Sequence, residues 1–289
     1  MYDAAKVRAT KAGKMKPDRM VSGSGVVRCS WVLISILVAG PAQAADAPAR
    51  TVSQLHAAGV LKSMALYLAD LSAFSCTSSN SFEVAQADGQ RIEFGETRRI
   101  SLARPDRLRI DEVAGDGASD LALFDGKQIT MLSADDNVYA QAPQPPSIED
   151  ALVYFVRDLR MRMPLALLLS THVRTELPAL AKEIDYVESA EIRGQAAHHI
   201  AGRGDSVDFQ IWIAEGTKPL PLRIVITYKL APAQPRFAAD ITDWNIGPTF
   251  PGDTFQLSLP KDARKIPFAV QLVAPEATPQ AAATGELKP

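Results

Sequence analysis

The chain of 289 residues has few residues that could cross-link a fold and no excess charge that would attract a charged polymer. It contains two cysteines and 7% aromatic residues, and its 31 lysines and arginines nearly balance its 33 aspartates and glutamates. So few cysteines exclude a disulfide-rich scaffold. A formal net charge of −2 gives no electrostatic reason to expect a nucleic-acid partner. We therefore predict a fold stabilised by its hydrophobic core and no binding of nucleic acid.

Local signatures of common enzyme sites are missing downstream of residue 44. That part of the chain has no Gly-x-Ser-x-Gly nucleophile turn, no Gly-x-Gly-x-x-Gly loop and no phosphate-binding loop. Its four histidines are His56, His172, His198 and His199, and the adjacent pair would point to opposite faces of a strand. We predict no enzyme activity, no metal site and no cofactor. A hydrolase with a dispersed site is the alternative, because such a site leaves no local motif.

Long hydrophobic runs are also scarce, and the clearest one lies near the N-terminus. The first 44 residues carry seven cations and two anions, and the uncharged apolar segment 31–40 follows the cations. This segment is shorter than the roughly 20 residues that a membrane-spanning helix needs. Pro41 and then Ala42-Gln43-Ala44 complete the pattern of a secretory signal cleaved after Ala44. An uncleaved anchor is the alternative, and Met20 is an alternative translation start.

The remaining chain alternates between helical and strand-like spacing in a mainly β pattern. After a linker over residues 45–52, apolar spacing predicts a helix from Thr51 or Ser53 to about Phe74. Short strands separated by Asp-Gly turns follow, then helical stretches that begin at residues 148, 164 and 178, then more strands, the last over Thr254–Leu259. We predict one domain over residues 53–269 and a disordered tail over residues 270–289.

The order of these elements excludes a β-α-β alternation and therefore a doubly wound parallel sheet. About eleven strands joined by short turns favour an α+β, mainly β fold: a curved antiparallel half-barrel sheet with helices covering its concave face. A sheet that curves around movable helices has the geometry of a lipid pocket.

Three motifs in order resemble the outer-membrane lipoprotein carrier (LolA/LolB-like) superfamily. They are Arg104-Pro105-Asp106-Arg107-Leu108-Arg109, then Phe124-Asp125-Gly126-Lys127-Gln128-Ile129, then Asp136-Asn137-Val138-Tyr139-Ala140. The segments 208–213 and 219–224 resemble a family of predicted periplasmic proteins near that superfamily. The resemblance covers about residues 55–268.

This resemblance implies an apolar cavity that holds acyl chains beneath a helical lid. It also implies that Arg104, which matches the arginine of the superfamily's Arg-Pro pair, fastens the lid by hydrogen bonds. On this basis and on strand alternation we predict that aromatic and aliphatic side chains line the cavity. The predicted wall residues are Phe82, Phe94, Leu108, Leu152, Phe155, Phe209 and Ile211.

Two surface features have both a functional and a structural interpretation. On the strand over residues 207–214, Asp208, Gln210 and Trp212 share one face and form a possible partner surface. Alternatively, Trp212 covers a neighbouring strand and Asp208 pairs with Arg223. Arg107 and Arg109 form either a cationic rim or ion pairs with Asp106, Asp111 and Glu112.

We expect a periplasmic carrier or binding protein that holds a lipid, or the acyl chain of a lipidated protein, in an apolar cavity. A membrane-associated protein partner is possible in the same interpretation. The alternative function is a non-catalytic sensor or scaffold that binds a protein through the sheet surface.

Overall fold

The computed structural model describes residues 51–143, 147–159 and 163–268. The predicted signal peptide, the linker up to residue 50 and the tail 270–289 lie outside the described residues. None of the described helices is both long enough and apolar enough to cross a membrane.

The first helix begins at a capping box. The hydroxyl of Thr51 accepts a hydrogen bond from the backbone N–H of Gln54 at 3.2 Å, and the Gln54 side chain accepts one from Thr51 N–H at 3.0 Å. Helix α1 runs from Val52 to Asp70 and buries Leu61, Met64 and Leu68, among others, on one side. The predicted end at Phe74 is wrong. Leu71 is already extended, and Phe74 is the first buried residue of a strand.

Gly59, in the middle of α1, offers a simple stability test. A Cβ placed there meets no atom within 4 Å. We expect Gly59→Ala to raise the free energy of unfolding by about 0.5–1 kcal/mol, because alanine loses less backbone entropy in a helix. Urea midpoints of the variant and the wild type measure the effect. Gly194→Ala is the contrasting control, since its φ of +77° should make alanine destabilising there. A lowered midpoint for Gly59→Ala would contradict the expectation.

Within the described residues, twelve strands form one curved sheet that does not close into a barrel. The strands are β1 Ala73–Ala85, β2 Arg91–Ala103, β3 Arg107–Ala114, β4 Ser119–Phe124, β5 Gln128–Ser133, β6 Val138–Pro143, β7 Glu183–Ile192, β8 Gln195–Arg203, β9 Val207–Ala214, β10 Pro221–Tyr228, β11 Arg236–Ile246 and β12 Arg264–Lys265. Their order is β12-β6-β5-β4-β3-β2-β1-β11-β10-β9-β8-β7, and all neighbours are antiparallel except β12 and β6. The predicted fold class is confirmed.

Short helical segments lie between β6 and β7. They are α2 Ile148–Val153, a π-helical turn Tyr154–Asp158, α3 Ala166–Leu169 and α4 Val173–Leu180. The third helix starts at Val173, before its predicted start at Pro178. Val173 and Leu177 are both buried, and their packing explains why the helix includes the residues before Pro178.

The two faces of the sheet have different coverings. We call the face that packs against the helices the inner face. Its apolar side chains and those of α1–α4 form one hydrophobic cluster. On the outer face, Phe255 and Leu257 pack over Leu121, Leu123 and Leu132.

The predicted strand Thr254–Leu259 is therefore wrong. The segment begins in a turn and continues without regular secondary structure, and it covers the sheet instead of joining it. The short strand β12 follows it and pairs with the edge strand β6.

Candidate functional site

The hydrophobic cluster of the inner face contains five of the seven predicted wall residues. They are Leu108 on β3, Phe209 and Ile211 on β9, Leu152 in α2 and Phe155 in the π turn. All five are at most 7% exposed. The structure thus brings sheet and helix side chains that are distant in sequence into contact within one apolar layer.

The other two predicted wall residues lie outside this cluster. Phe82 on β1 is directly opposite Phe94 on β2, and their rings stack with centroids 5.8 Å apart. Phe94 is 42% exposed. On the same face, Ser78 and Asn80 lie between Phe82 and the apolar part of β1. Polar side chains therefore separate this aromatic pair from the buried layer on these strands.

A row of hydrogen-bonded polar groups crosses the inner face at this level. The Ser78 hydroxyl donates to Asn80 Oδ1 at 2.6 Å, and Asn80 Nδ2 donates to Glu96 Oε1 at 2.9 Å. Arg98 Nε lies 2.9 Å from Glu96 Oε1 and 2.9 Å from Glu112 Oε2. We call these five residues the polar row.

Glu112 has an altered acidity within the polar row. Burial raises the pKa of its carboxyl group, and the nearby carboxylates of Glu96 and Asp120 raise it further against the opposing effect of Arg98. Sequence reasoning missed the row, because its members come together only through the pairing of β1, β2 and β3. The alternation of polar residues along β2 was the available signal.

Arg104 connects the sheet to two helical segments. Its Nε donates to the carbonyl of Leu71 at 3.0 Å, just after α1, and its Nη1 lies 3.3 Å from Glu149 Oε1 in α2. The same Glu149 oxygen accepts hydrogen bonds from Thr171 N–H at 3.0 Å and from the Thr171 hydroxyl at 2.8 Å. We call Arg104, Glu149 and Thr171 the clasp. Its contacts join the residue after α1, helix α2 and the segment just before α4.

The clasp is stabilised by the ionised form of Glu149. Burial alone would raise the pKa of this carboxyl group, but the bonds from Thr171 and the charge of Arg104 bring it below its ordinary value. Burial lowers the pKa of Arg104, partly offset by Glu149. Removing either partner would leave a poorly solvated polar group.

The arginines of the predicted cationic rim form ion pairs. Arg109 Nη2 lies 2.7 Å from Asp111 Oδ1, and Arg107 Nε lies 3.8 Å from Asp106 Oδ1. Glu112 pairs with Arg98 instead of with either of them. The structure therefore favours the ion-pair interpretation for Arg107 and Arg109.

The predicted partner surface lies on the outer face. Trp212 stacks on His199 with centroids 4.0 Å apart and planes 11° apart. Gln210 Oε1 lies 3.2 Å from His199 Nε2. Asp208 Oδ1 lies 3.1 Å from Lys229 Nζ. All three predicted residues thus have partners within the sheet.

The predicted pairing of Asp208 with Arg223 is wrong. Arg223 Nη1 lies 2.7 Å from Asp240 Oδ2, directly across the strand pair β10–β11. A shift in register between Pro221 and Arg223 moves Arg223 toward Trp212 in its pairing with β9. The irregular pairing could not be foreseen from alternation alone.

A separate groove of about 430 Å³ lies between α1 and the ends of β8 and β9. Leu55, His56, Val60, His198 and Pro219 are among its lining residues, and no predicted wall residue is. The rings of His56 and His198 lie 5.6 Å apart. Among the described residues, no three metal-binding side chains form a group.

Comparisons with known proteins give one family and several similar folds. Residues 57–269 match the model of a family described as predicted periplasmic protein (DUF2092). Lipoprotein LppX from Mycobacterium tuberculosis is similar in structure, with 13% identity, a TM-score of 0.45 and coverage of 68% of this chain and 99% of that chain. LprF from Mycobacterium bovis has 11% identity and a TM-score of 0.45, and the match covers 68% of this chain and 97% of that chain. A LolA superfamily protein from Nitrosomonas europaea has 10% identity and a TM-score of 0.35, and the match covers 70% of this chain and 97% of that chain. No curated protein matches the sequence.

Proposed function

The chain belongs to the family of predicted periplasmic proteins DUF2092, and we propose that it binds one acyl chain of a lipid or lipidated protein between the inner face and helices α2–α4. The proposed activity is non-covalent binding without catalysis. One observation carries it: a single apolar cluster joins the sheet to a cover made of very short helices.

The short helices of the cover depend on packing for their stability. α2, α3 and α4 have six, four and eight residues. Isolated helices shorter than about 12–15 residues are marginal in water. The cover therefore keeps its form because side chains such as Leu152, Phe155 and Leu169 are buried against the cluster. It is the part of the fold that we expect to open at the lowest free-energy cost.

An acyl chain can replace the contacts that the cover loses on opening. Burying each large apolar side chain contributes about 1.5–3 kcal/mol, and each methylene of a ligand about 0.8 kcal/mol. A chain of about 12–16 carbons thus matches roughly five side chains. The free energy lost with the helix contacts is therefore close to the free energy gained from the ligand contacts. This near-equality allows both binding and release.

The clasp supports the same proposal because it joins the cover to the sheet by polar contacts. Arg104 holds Glu149 of α2, and Glu149 holds Thr171 before α4. Opening the cover breaks these bonds, so their strength sets the rate at which a ligand enters and leaves. This is the lid-fastening role that we predict for Arg104.

A fluorescent fatty acid tests the proposal. We expect the protein to bind dansyl-undecanoic acid at one probe per chain, with a blue shift as the dansyl group leaves water. Glu149→Gln should speed probe release about tenfold, because it weakens charge-assisted hydrogen bonds in the clasp. Stopped-flow displacement by unlabelled oleate measures this rate.

Glu176→Gln is the matched control, because Glu176 is an exposed acid of α4 whose one ion pair among the described residues is with His172, at 3.7 Å. It should leave the release rate unchanged. Native mass spectrometry of the protein purified from periplasm provides a second measurement, since bound lipid should survive purification. A protein that neither binds the probe nor retains any lipid would overturn the proposal.

A further inference from the structure

The inner face has an open region where β1 and β2 extend beyond the hydrophobic cluster. Phe94 and Ile92 lie there on β2 and are 42% and 38% exposed. Phe82 on β1 stacks against Phe94. The polar row crosses the face beside this region. Exposed aromatic groups next to half-buried charges form an amphipathic surface.

An apolar track connects this open region to the buried layer. Cross-strand partners follow one another across five strands, from Phe94 to Phe82, Phe237, Ile226 and Phe209. Phe237 is 3% exposed, and Ile226 and Phe209 belong to the hydrophobic cluster. Directly opposite side chains contact one another on one face of a sheet. An extended hydrocarbon chain along this track would join the open region to the predicted wall.

Arg98 has hydrogen-bonding capacity to spare in the polar row. Its side chain is 16% exposed, and Nε is shared between Glu96 and Glu112. Its two Nη amino groups donate no hydrogen bond to any described residue. A guanidinium with free, parallel N–H groups fits the oxygens of a phosphate.

The polar row and its neighbour Asp120 together carry an excess of negative charge. Glu96, Glu112 and Asp120 face a single cation, Arg98, which gives a formal charge of −2. Asp120 on β4 is directly opposite Glu112 on β3 and forms no ion pair with a described residue. A ligand ammonium between these two carboxylates would relieve their mutual repulsion.

We propose that this open region binds the headgroup of a zwitterionic phospholipid with a primary amine, an inference that rests on the proposed function. Arg98 holds the phosphate, Glu112 and Asp120 hold the ammonium, and the Phe82–Phe94 pair contacts the first part of the acyl chains. An anionic headgroup without an amine would be repelled by the excess negative charge of Glu96, Glu112 and Asp120. A basic peptide complements the excess negative charge, but it has no hydrocarbon chain to occupy the apolar track.

Competition between two lipids with identical acyl chains tests the headgroup. The full mature protein is incubated with equimolar dioleoyl phosphatidylethanolamine and dioleoyl phosphatidylglycerol in detergent, and bound lipid is counted by native mass spectrometry. We expect the wild type to retain phosphatidylethanolamine about tenfold over phosphatidylglycerol, as for one charge-assisted contact. Asp120→Asn and Glu112→Gln should each reduce the preference to about twofold or less. Circular dichroism establishes that both variants are folded.

Glu93→Gln is the control for total charge, because Glu93 is an exposed acid of β2 on the opposite face from Phe94. It should keep the tenfold preference. Equal retention of the two lipids by the wild type, or a preference that both variants keep, would overturn the headgroup inference and leave acyl binding intact. Retention of neither lipid would overturn the headgroup inference, and the dansyl-undecanoic acid titration would then decide acyl binding separately. Binding of an unacylated lysine-rich peptide that is lost in Asp120→Asn would assign the surface to a protein partner instead.

Discussion

Gly202→Ala is expected to lower the free energy of unfolding by about 2–3 kcal/mol, the cost of forcing an extra group into a packed core. Gly202 lies on β8 directly opposite Phe209 of β9. A Cβ at residue 202 would lie 2.3 Å from Phe209 Cζ and 2.4 Å from its Cε1. The ring is only 7% exposed and packs in the hydrophobic cluster, so it cannot move aside without disturbing its neighbours. Chemical denaturation measures the loss.

A double variant separates this steric cause from a general intolerance of β8 to substitution. Leucine at residue 209 lacks the Cε and Cζ atoms that would clash. Phe209→Leu alone should cost about 1 kcal/mol by leaving a small cavity. Combined with Gly202→Ala, it should recover at least about 1 kcal/mol relative to the sum of the single effects. Additive losses would show that the ring does not set the requirement for glycine.

The placement of Phe209 shows what strand alternation can predict. Alternating polarity along the strand assigned Phe209 and Ile211 to one face and Trp212 to the other, and both assignments agree with the structure. Short-turn antiparallel strands predicted the curved sheet, and the predicted periplasmic family is confirmed by the match over residues 57–269. These features follow from local spacing and from motif order.

Local spacing and motif order could not predict which strands that are distant in sequence contact one another. Phe82 is opposite Phe237 because β1 pairs with β11, and no local pattern indicates that the first strand neighbours one so far along the chain. The polar row needs the register of three strands, in which Arg98 is opposite Glu112. The resemblance identified Arg104 but neither Glu149 nor Thr171 as its partners. Partners therefore depend on topology and register, which single-strand patterns do not encode.

Arg104→Met is expected to lower the free energy of unfolding at pH 7 by about 3 kcal/mol. This is the typical cost of removing one partner of a buried ion pair and leaving the other charge unpaired. Methionine keeps much of the side-chain volume, but Glu149 loses the facing charge and the Leu71 carbonyl loses a donor. Arg107→Met is the matched control, because Arg107 is half-exposed and its nearest acid is 3.8 Å away. It should cost less than about 1 kcal/mol. Equal losses for the two variants would contradict a structural role of the clasp.

The pH dependence of stability distinguishes the clasp from the polar row. The pKa of Glu149 is lowered in the folded protein, so its contribution is present above the unfolded pKa of about 4.3 and is lost as the pH falls through the lower folded value. The pKa of Glu112 is raised, so ionisation there destabilises the fold above that unfolded value, and acidification removes the penalty. Relative to wild type, Glu149→Gln should therefore be destabilising at pH 7 and lose that effect in acid. Glu112→Gln should be stabilising at pH 7 and lose that effect in acid. Urea denaturation of both variants from about pH 7 to about pH 3.5 measures the two slopes, and slopes of the same sign would contradict the assigned environments.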